Sequence, residues 1–172
     1  PVLRLVAPDG SDPGTAAVAG LQAKWAADGT TVAYVGDDGS LYVAAADGSD
    51  TRSVAYGSYP SWSPDGHSIT FVCNQVTFPG GDVCTVDLDS GEVTNLTNDT
   101  HLGDPVTRYS RSQTWAPDGT RIAFYRYVDE RQPSGAIHRT TGIWSIASDG
   151  DEPAPLAIVD GIVSGPFGTN AI

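Results

Sequence analysis

Three copies of one short motif, Trp25-Ala26-Ala27-Asp28-Gly29, Trp62-Ser63-Pro64-Asp65-Gly66 and Trp115-Ala116-Pro117-Asp118-Gly119, predict an all-β protein of four-stranded antiparallel blades. The fold class is an incomplete β-propeller, with about 3.5 blades in this chain. A second motif, an apolar run closing on Asp-Gly, recurs from Leu3 to Asp9-Gly10, Leu41 to Asp47-Gly48, Val83 to Asp89-Ser90-Gly91 and Ile143 to Asp149-Gly150. Composition agrees with this reading, since 20 Gly and 12 Pro put a turn within reach of almost every segment.

Each unit reads as four short strands. The first ends at the Trp. The second follows Asp-Gly and alternates as a half-buried strand does, in Thr31-Val32-Ala33-Tyr34-Val35, Ser68-Ile69-Thr70-Phe71-Val72 and Arg121-Ile122-Ala123-Phe124-Tyr125. The third runs into the second Asp-Gly, and the fourth leaves it, as in Arg52-Ser53-Val54 or Val93-Thr94-Asn95-Leu96. In the first turn Pro64 sets the φ that a type I turn requires, Gly66 takes the positive φ that re-enters a strand, and Asp65 caps the turn through its backbone. Asp28, Asp65 and Asp118 are therefore turn residues before they are catalytic candidates, and the Trp side chains are expected between blades. A lone sheet of such short strands cannot bury both faces, so neighbouring blades supply the missing core.

On this reading residues 1–20 are the last two strands of a preceding blade, 21–58 a blade, 59–110 a blade with long rim loops, 111–160 a blade with a long rim loop, and 161–172 a tail or the start of the next blade. Such an arc needs completion, by further blades of the same longer chain or by other copies.

The run Tyr59-Pro60-Ser61-Trp62-Ser63-Pro64-Asp65-Gly66 resembles the TolB-type propeller repeat, whose signature is Pro-x-Trp-Ser-Pro-Asp-Gly followed by a strand like Ile-Ala-Phe and a strand closing on Asp-Gly. The resemblance repeats in register over roughly residues 1–160. It implies a propeller that most often binds proteins. Similar propellers also serve periplasmic scaffolds, gating domains of prolyl-oligopeptidase-like peptidases and some polysaccharide lyases.

If the repeated parts are scaffold, function lies where the repeats stop matching. The spacing from the Trp to the second Asp grows from 22 residues (Trp25 to Asp47) to 27 (Trp62 to Asp89) and 34 (Trp115 to Asp149). The spacing from that Asp to the next Trp grows from 15 (Asp47 to Trp62) to 26 (Asp89 to Trp115). The added residues, 74–82, 97–110 and 128–141, fall on connections that leave an up-and-down blade at one end, which predicts loops gathered on one rim. Arg108, Arg111, Arg126, Arg131 and Arg139 lie in or beside them, with Phe78, Tyr109, Tyr125 and Tyr127. Arg and Tyr are enriched in binding hot spots, so the candidate binding residues are Arg108, Tyr109, Arg126, Tyr127, Arg131, Arg139 and Phe78. The expected partner is a protein or an anionic, carboxylate-bearing ligand. The plainer alternative pairs Arg131 with Asp129 or Glu130 and leaves the loops without a role.

The formal net charge of −12 disfavours nucleic acid as a partner. No run approaches the length of a membrane-spanning helix. Cys73 and Cys84 bracket one expected hairpin and are expected to bridge, which points to the periplasm or the cell exterior; two free buried thiols are the alternative. His67, His101 and His138 lack metal-ligand spacing, no Gly-x-Ser-x-Gly elbow occurs, and no cofactor or catalytic residue is expected. The leading expectation is a non-catalytic secreted or periplasmic scaffold. The alternatives are the propeller portion of a peptidase or polysaccharide lyase, and a subunit that polymerises through open blade edges.

Overall fold

A computed structural model describes residues 2–3, 18–77, 80–99, 106–151 and 153–163, and among these every regular element is a β-strand. Strands β1 (Val2–Leu3) and β2 (Val18–Ala19) pair antiparallel. Strands β3 (Leu21–Trp25), β4 (Thr31–Val35), β5 (Ser40–Ala45) and β6 (Arg52–Tyr56) form the first four-stranded meander. The second comprises β7 (Ser58–Trp62), β8 (Ser68–Thr77), β9 (Gly80–Asp87) and β10 (Val93–Asn95), and the third β11 (Val106–Trp115), β12 (Arg121–Arg131), β13 (Ile137–Ala147) and β14 (Ala154–Val163). A single bridge, Ser110 opposite Gly81, joins the second and third sheets at their edges.

The hairpin after each Trp strand is the same turn three times. Gly29, Gly66 and Gly119, at φ of 69°, 77° and 73°, donate to the carbonyls of Ala26, Ser63 and Ala116. Asp28 Oδ1 accepts from the Thr30 and Thr31 amides at 2.7 and 3.0 Å, Asp65 Oδ1 from His67 at 3.1 Å, and Asp118 Oδ1 from Thr120 at 3.0 Å. These carboxylates cap turns. Backbone donors hold Asp28, Asp38, Asp87 and Asp118 below the ordinary aspartate value of 3.8, and a serine hydroxyl is the first cause at Asp47 and Asp65. A carboxyl depressed on folding contributes stability above its unfolded pKa and loses it as pH falls through the folded value. The melting temperature is therefore expected to hold from neutrality to about pH 4 and to fall below it. Thermal melts across that range check this, and a flat profile down to pH 2 would contradict the capping role.

Much of the added length extends strands instead of forming loops, contrary to expectation. Residues 74–77 and 80–82 continue β8 and β9, 106–110 open β11, and 128–131 and 137–141 extend β12 and β13; among the described added residues, 97–99 and 132–136 remain as irregular connections. Val128, Ile137, Thr140 and Thr141 favour continued pairing, and Asp129 stands directly opposite Arg139 in the ladder. The turn itself repeats the Pro-x-Gly chemistry of the shorter hairpins. Gly135, at φ 84°, donates to Gln132 O at 2.9 Å, and the Gln132 amide donates to Ala136 O at 2.8 Å.

The core lies between blades. Ala33, Leu41 and Val43 of the first blade pack on Ile69, Phe71, Cys73, Cys84 and Val86 of the second, while Val83 and Leu96 of the second pack on Ile122, Phe124 and Ile146 of the third. Full burial of one such aliphatic or aromatic side chain contributes about 1.5–3 kcal/mol, so each joint is an apolar contact of several residues. Trp62 packs on the first joint, and Trp115 and Trp144 on the second, whereas Trp25 is 47% exposed.

Cys73 and Cys84 form a disulfide with Cα atoms 5.9 Å apart. Register pairs Cys73 with Asp82 and Cys84 with Phe71, so the bridge runs diagonally across one face of the β8–β9 ladder. That face is the first joint, so the disulfide belongs to the core between blades as well as to its hairpin.

Candidate binding surface

Side chains alternate across the third sheet, and the alternation sorts the candidate arginines. Phe124, Arg126 and Trp144 share the face that meets the second blade, while Tyr125, Tyr127 and Asp129 share the opposite face.

Arg126 is not an exposed rim residue. It is 4% exposed and ion-paired with Asp99, and its guanidinium lies 4.8 Å from the Trp144 ring and 5.1 Å from the Phe124 ring. Two residues from Phe124 on the same strand, it follows Phe124 into the joint. Burial lowers the pKa of Arg126 and raises that of Asp99 against the attraction of the pair. The acidic side is tied down by Asp82, which accepts from Asn95 Nδ2 and from the Asp99 amide at 2.8 Å each. Arg126 thus ties Asp99, four residues past the end of β10, onto β12.

Cys73 and Arg126 each stand eleven residues after their Trp, and Cys84 and Trp144 are the ladder partners of Phe71 and Phe124. The place held by a disulfide in the second blade is held in the third by an arginine stacked on tryptophan.

The opposite face of the third blade carries an Arg–Tyr–Asp cluster. Arg139 reaches Asp129 through Nε and Nη2 at 2.6 Å each, and the Tyr109 hydroxyl donates to Asp129 Oδ2 at 2.6 Å. Burial pushes Asp129 upward, but these bonds outweigh it and leave its pKa below the usual value; bonding to Asp129 raises Arg139. Burial, then the bond to Asp129, push the Tyr109 phenol up to about 12. Tyr127 stands edge-on to Tyr125 at 4.9 Å and accepts a hydrogen bond from Arg111 at its hydroxyl. Asp129 therefore pairs with Arg139, its cross-strand neighbour, and Arg131 is left exposed at the end of β12. Arg108 is also exposed, on β11.

The extended strands thus bring Arg108, Tyr109, Tyr127, Arg131 and Arg139 to one end of the third blade, with Arg126 inside it. Phe78 and His101 lie outside the described residues. His138 pairs in register with Glu130, and His67 lies 3.0 Å from Asp89 at the other end, in an exposed pair of small energetic weight. No group of three or more His, Cys, Asp or Glu side chains is arranged for a metal among the described residues. Asp82, Asn95 and Asp99 were not anticipated. The signal for them was the shared parity of Phe124 and Arg126, which puts an arginine in a core column and demands a buried acid.

The first strands of the three blades line up side by side. Gln22, Tyr59 and Ser112, each three residues before its Trp, take positive φ of 55–56° at a register shift. The Tyr59 amide donates to Gln22 Oε1 at 2.6 Å, its carbonyl accepts from Gln113 Nε2, and Trp62 Nε1 donates to Lys24 O at 3.0 Å. These bonds link blade to blade, with a cleft of about 420 Å³ beside them bounded by Lys24, Ser61, Gln113 and Thr114.

No protein-family profile matches the sequence, and comparison with curated proteins finds no match. Solved structures do match. TolB from Acinetobacter baumannii superposes with a TM-score of 0.54 at 15% identity, over 95% of this chain and 48% of that one. Oligogalacturonate lyase from Vibrio parahaemolyticus gives 0.55 at 14%, over 82% and 40%. The propeller domain of the Trilobed protease from Pyrococcus furiosus, which has an open velcro topology, gives 0.51 at 14%, over 84% and 43%. The chain spans less than half the length of each of these proteins. At such identities the likeness concerns architecture, and the architecture is that of a TolB-like β-propeller.

Proposed function

We propose that the chain is a non-catalytic, extracytoplasmic propeller scaffold that recognises a protein or another carboxylate-bearing ligand through the extended end of its third blade. The observation that carries this reading is the exposure of two arginines at the extended end of the third blade, Arg131 on the face of the Tyr109, Tyr127 and Arg139 cluster and Arg108 on the opposite face, at strand extensions the first blade lacks. The ordered cluster presents planar donors and aromatic faces at low entropic cost. The Cys73–Cys84 disulfide supports a periplasmic or extracellular setting, and among the described residues no helix is long and apolar enough to cross a membrane.

Reversing both exposed charges in the variant Arg108→Glu/Arg131→Glu should weaken binding of a polyglutamate peptide about tenfold and flatten its salt dependence, with the melting temperature unchanged. Calorimetric titration at two salt concentrations reads this. Unchanged affinity in the variant would rule out the rim as the binding surface.

A further inference from the structure

The first strands carry side chains that the repeat does not explain. Their backbone recurs from blade to blade, with Gln22, Tyr59 and Ser112 at positive φ, but the next two positions do not: Ala23-Lys24, Pro60-Ser61 and Gln113-Thr114. Lys24, the single lysine of the chain, stands opposite Ala33 in the ladder. Ala33 belongs to the joint with the second blade, so the Lys24 side chain leaves β3 on the side of β7. It is exposed, and no carboxylate pairs with it among the described residues. From the other flank Gln113, 6% exposed, donates through Nε2 to Tyr59 O and leaves its Oε1 without a donor. Two clefts of about 420 and 380 Å³ share Lys24, Pro60 and Gln113. Both are centred on β7, whose neighbours β3 and β11 are present on either side, so these walls do not depend on a blade beyond the chain. Strands β3, β7 and β11 together hold Lys24, Arg108 and Arg111 and no Asp or Glu, in a chain of 21 acidic and 9 basic residues.

We propose that this paired cleft binds the free C-terminus of a peptide. Lys24 offers an unpaired ammonium for the terminal carboxylate, and Gln113 Oε1 offers an unpartnered acceptor for the last amide N–H. Ser61, Ser112 and Thr114 line the same clefts with hydroxyls that donate or accept. A simple anion would satisfy Lys24 and leave the buried Oε1 orphaned, and a neutral amide would do the reverse. A C-terminal residue carries both groups on one Cα. The three strands, basic in an acidic chain, favour the anionic end of such a peptide.

The site uses none of the rim residues, so it and the scaffold reading can fail separately. In an NMR titration of the full chain, N-acetyl-Ala-Ala with a free carboxylate should shift the Lys24 side-chain signals, the only lysine signals present, and the Gln113 side-chain amide. The same peptide as its C-terminal amide should bind at least about fivefold more weakly. So should N-acetyl-Ala-sarcosine, which keeps the carboxylate and lacks the last N–H. Lys24→Gln should erase the preference for acid over amide and Lys24→Arg should restore part of it, while Arg108→Glu/Arg131→Glu leaves it in place. Equal binding of acid and amide would overturn the proposal without any variant. So would acetate binding as tightly as the peptide acid, because the cleft would then hold any simple anion.

Discussion

Arg126→Ala should lower the unfolding free energy by about 3–5 kcal/mol, and the melting temperature by roughly 6–20 °C. The side chain is 4% exposed, and its removal takes the ion-pair partner from the largely buried Asp99, leaving it the weaker attraction of the exposed Arg108. Loss of the stack on Trp144 and Phe124 adds to the cost. The pair is not an efficient source of stability in itself. Arg126 Nε has no acceptor among the described residues, and burial works against the charge on both partners. Replacing both partners, in Arg126→Met/Asp99→Leu, should therefore recover most of what the single change loses. Urea titration of the two variants separates these outcomes. A loss below about 1 kcal/mol in Arg126→Ala would mean that the pair does not hold the joint.

Cys73→Ala/Cys84→Ala should cost about 3 kcal/mol on the chain-entropy account of a loop of this length, equivalent to roughly 6–12 °C. The sequence separation is 11 residues, and both sulfurs sit in the joint between the first two blades, so the small cavity left by alanine adds to the effect. With Cys73 at 7% and Cys84 at 2% exposure, dithiothreitol should reach the bridge only through unfolding. Reductant is thus expected to lower the melting temperature of the wild type and to leave the double variant unmoved. Alkylation after reduction should label two thiols in the wild type alone. Equal melting temperatures for the two proteins would show that the bridge adds nothing to the joint.

Strand order, turn type and disulfide partners were legible because each is a local matter. Trp-x-x-Asp-Gly specifies a hairpin within five residues, and its three copies occur in register. The added lengths were legible as lengths but misleading as loops. Counting residues between Trp115 and Asp149 locates an insertion and says nothing of whether it pairs. Asp129 opposite Arg139 and the Pro133-Ser134-Gly135 turn decide that it does. Pro133-Ser134-Gly135 is one substitution from Pro64-Asp65-Gly66, and reading it as a turn would have predicted the longer hairpin.

The binding surface was the least legible part. Arg126, Arg139 and Arg111 look alike in sequence, within or beside an extended hairpin and near tyrosines. One is locked in a joint, one is neutralised by Asp129, and one lies against two tyrosine rings with no ion-pair partner among the described residues. Period-two alternation separates Arg126 from Tyr125 and Tyr127, but only the packing of the second blade on the Phe124 face says which side is inside. What the sequence by itself determined was the blade: its turns, its strand pairs and its bridge, all set by contacts between residues close along the chain. Which arginine is buried, paired or available was decided by the tertiary structure, because burial and counter-charge come from the neighbouring blade and from segments such as 95–99 that approach only after the sheets stack.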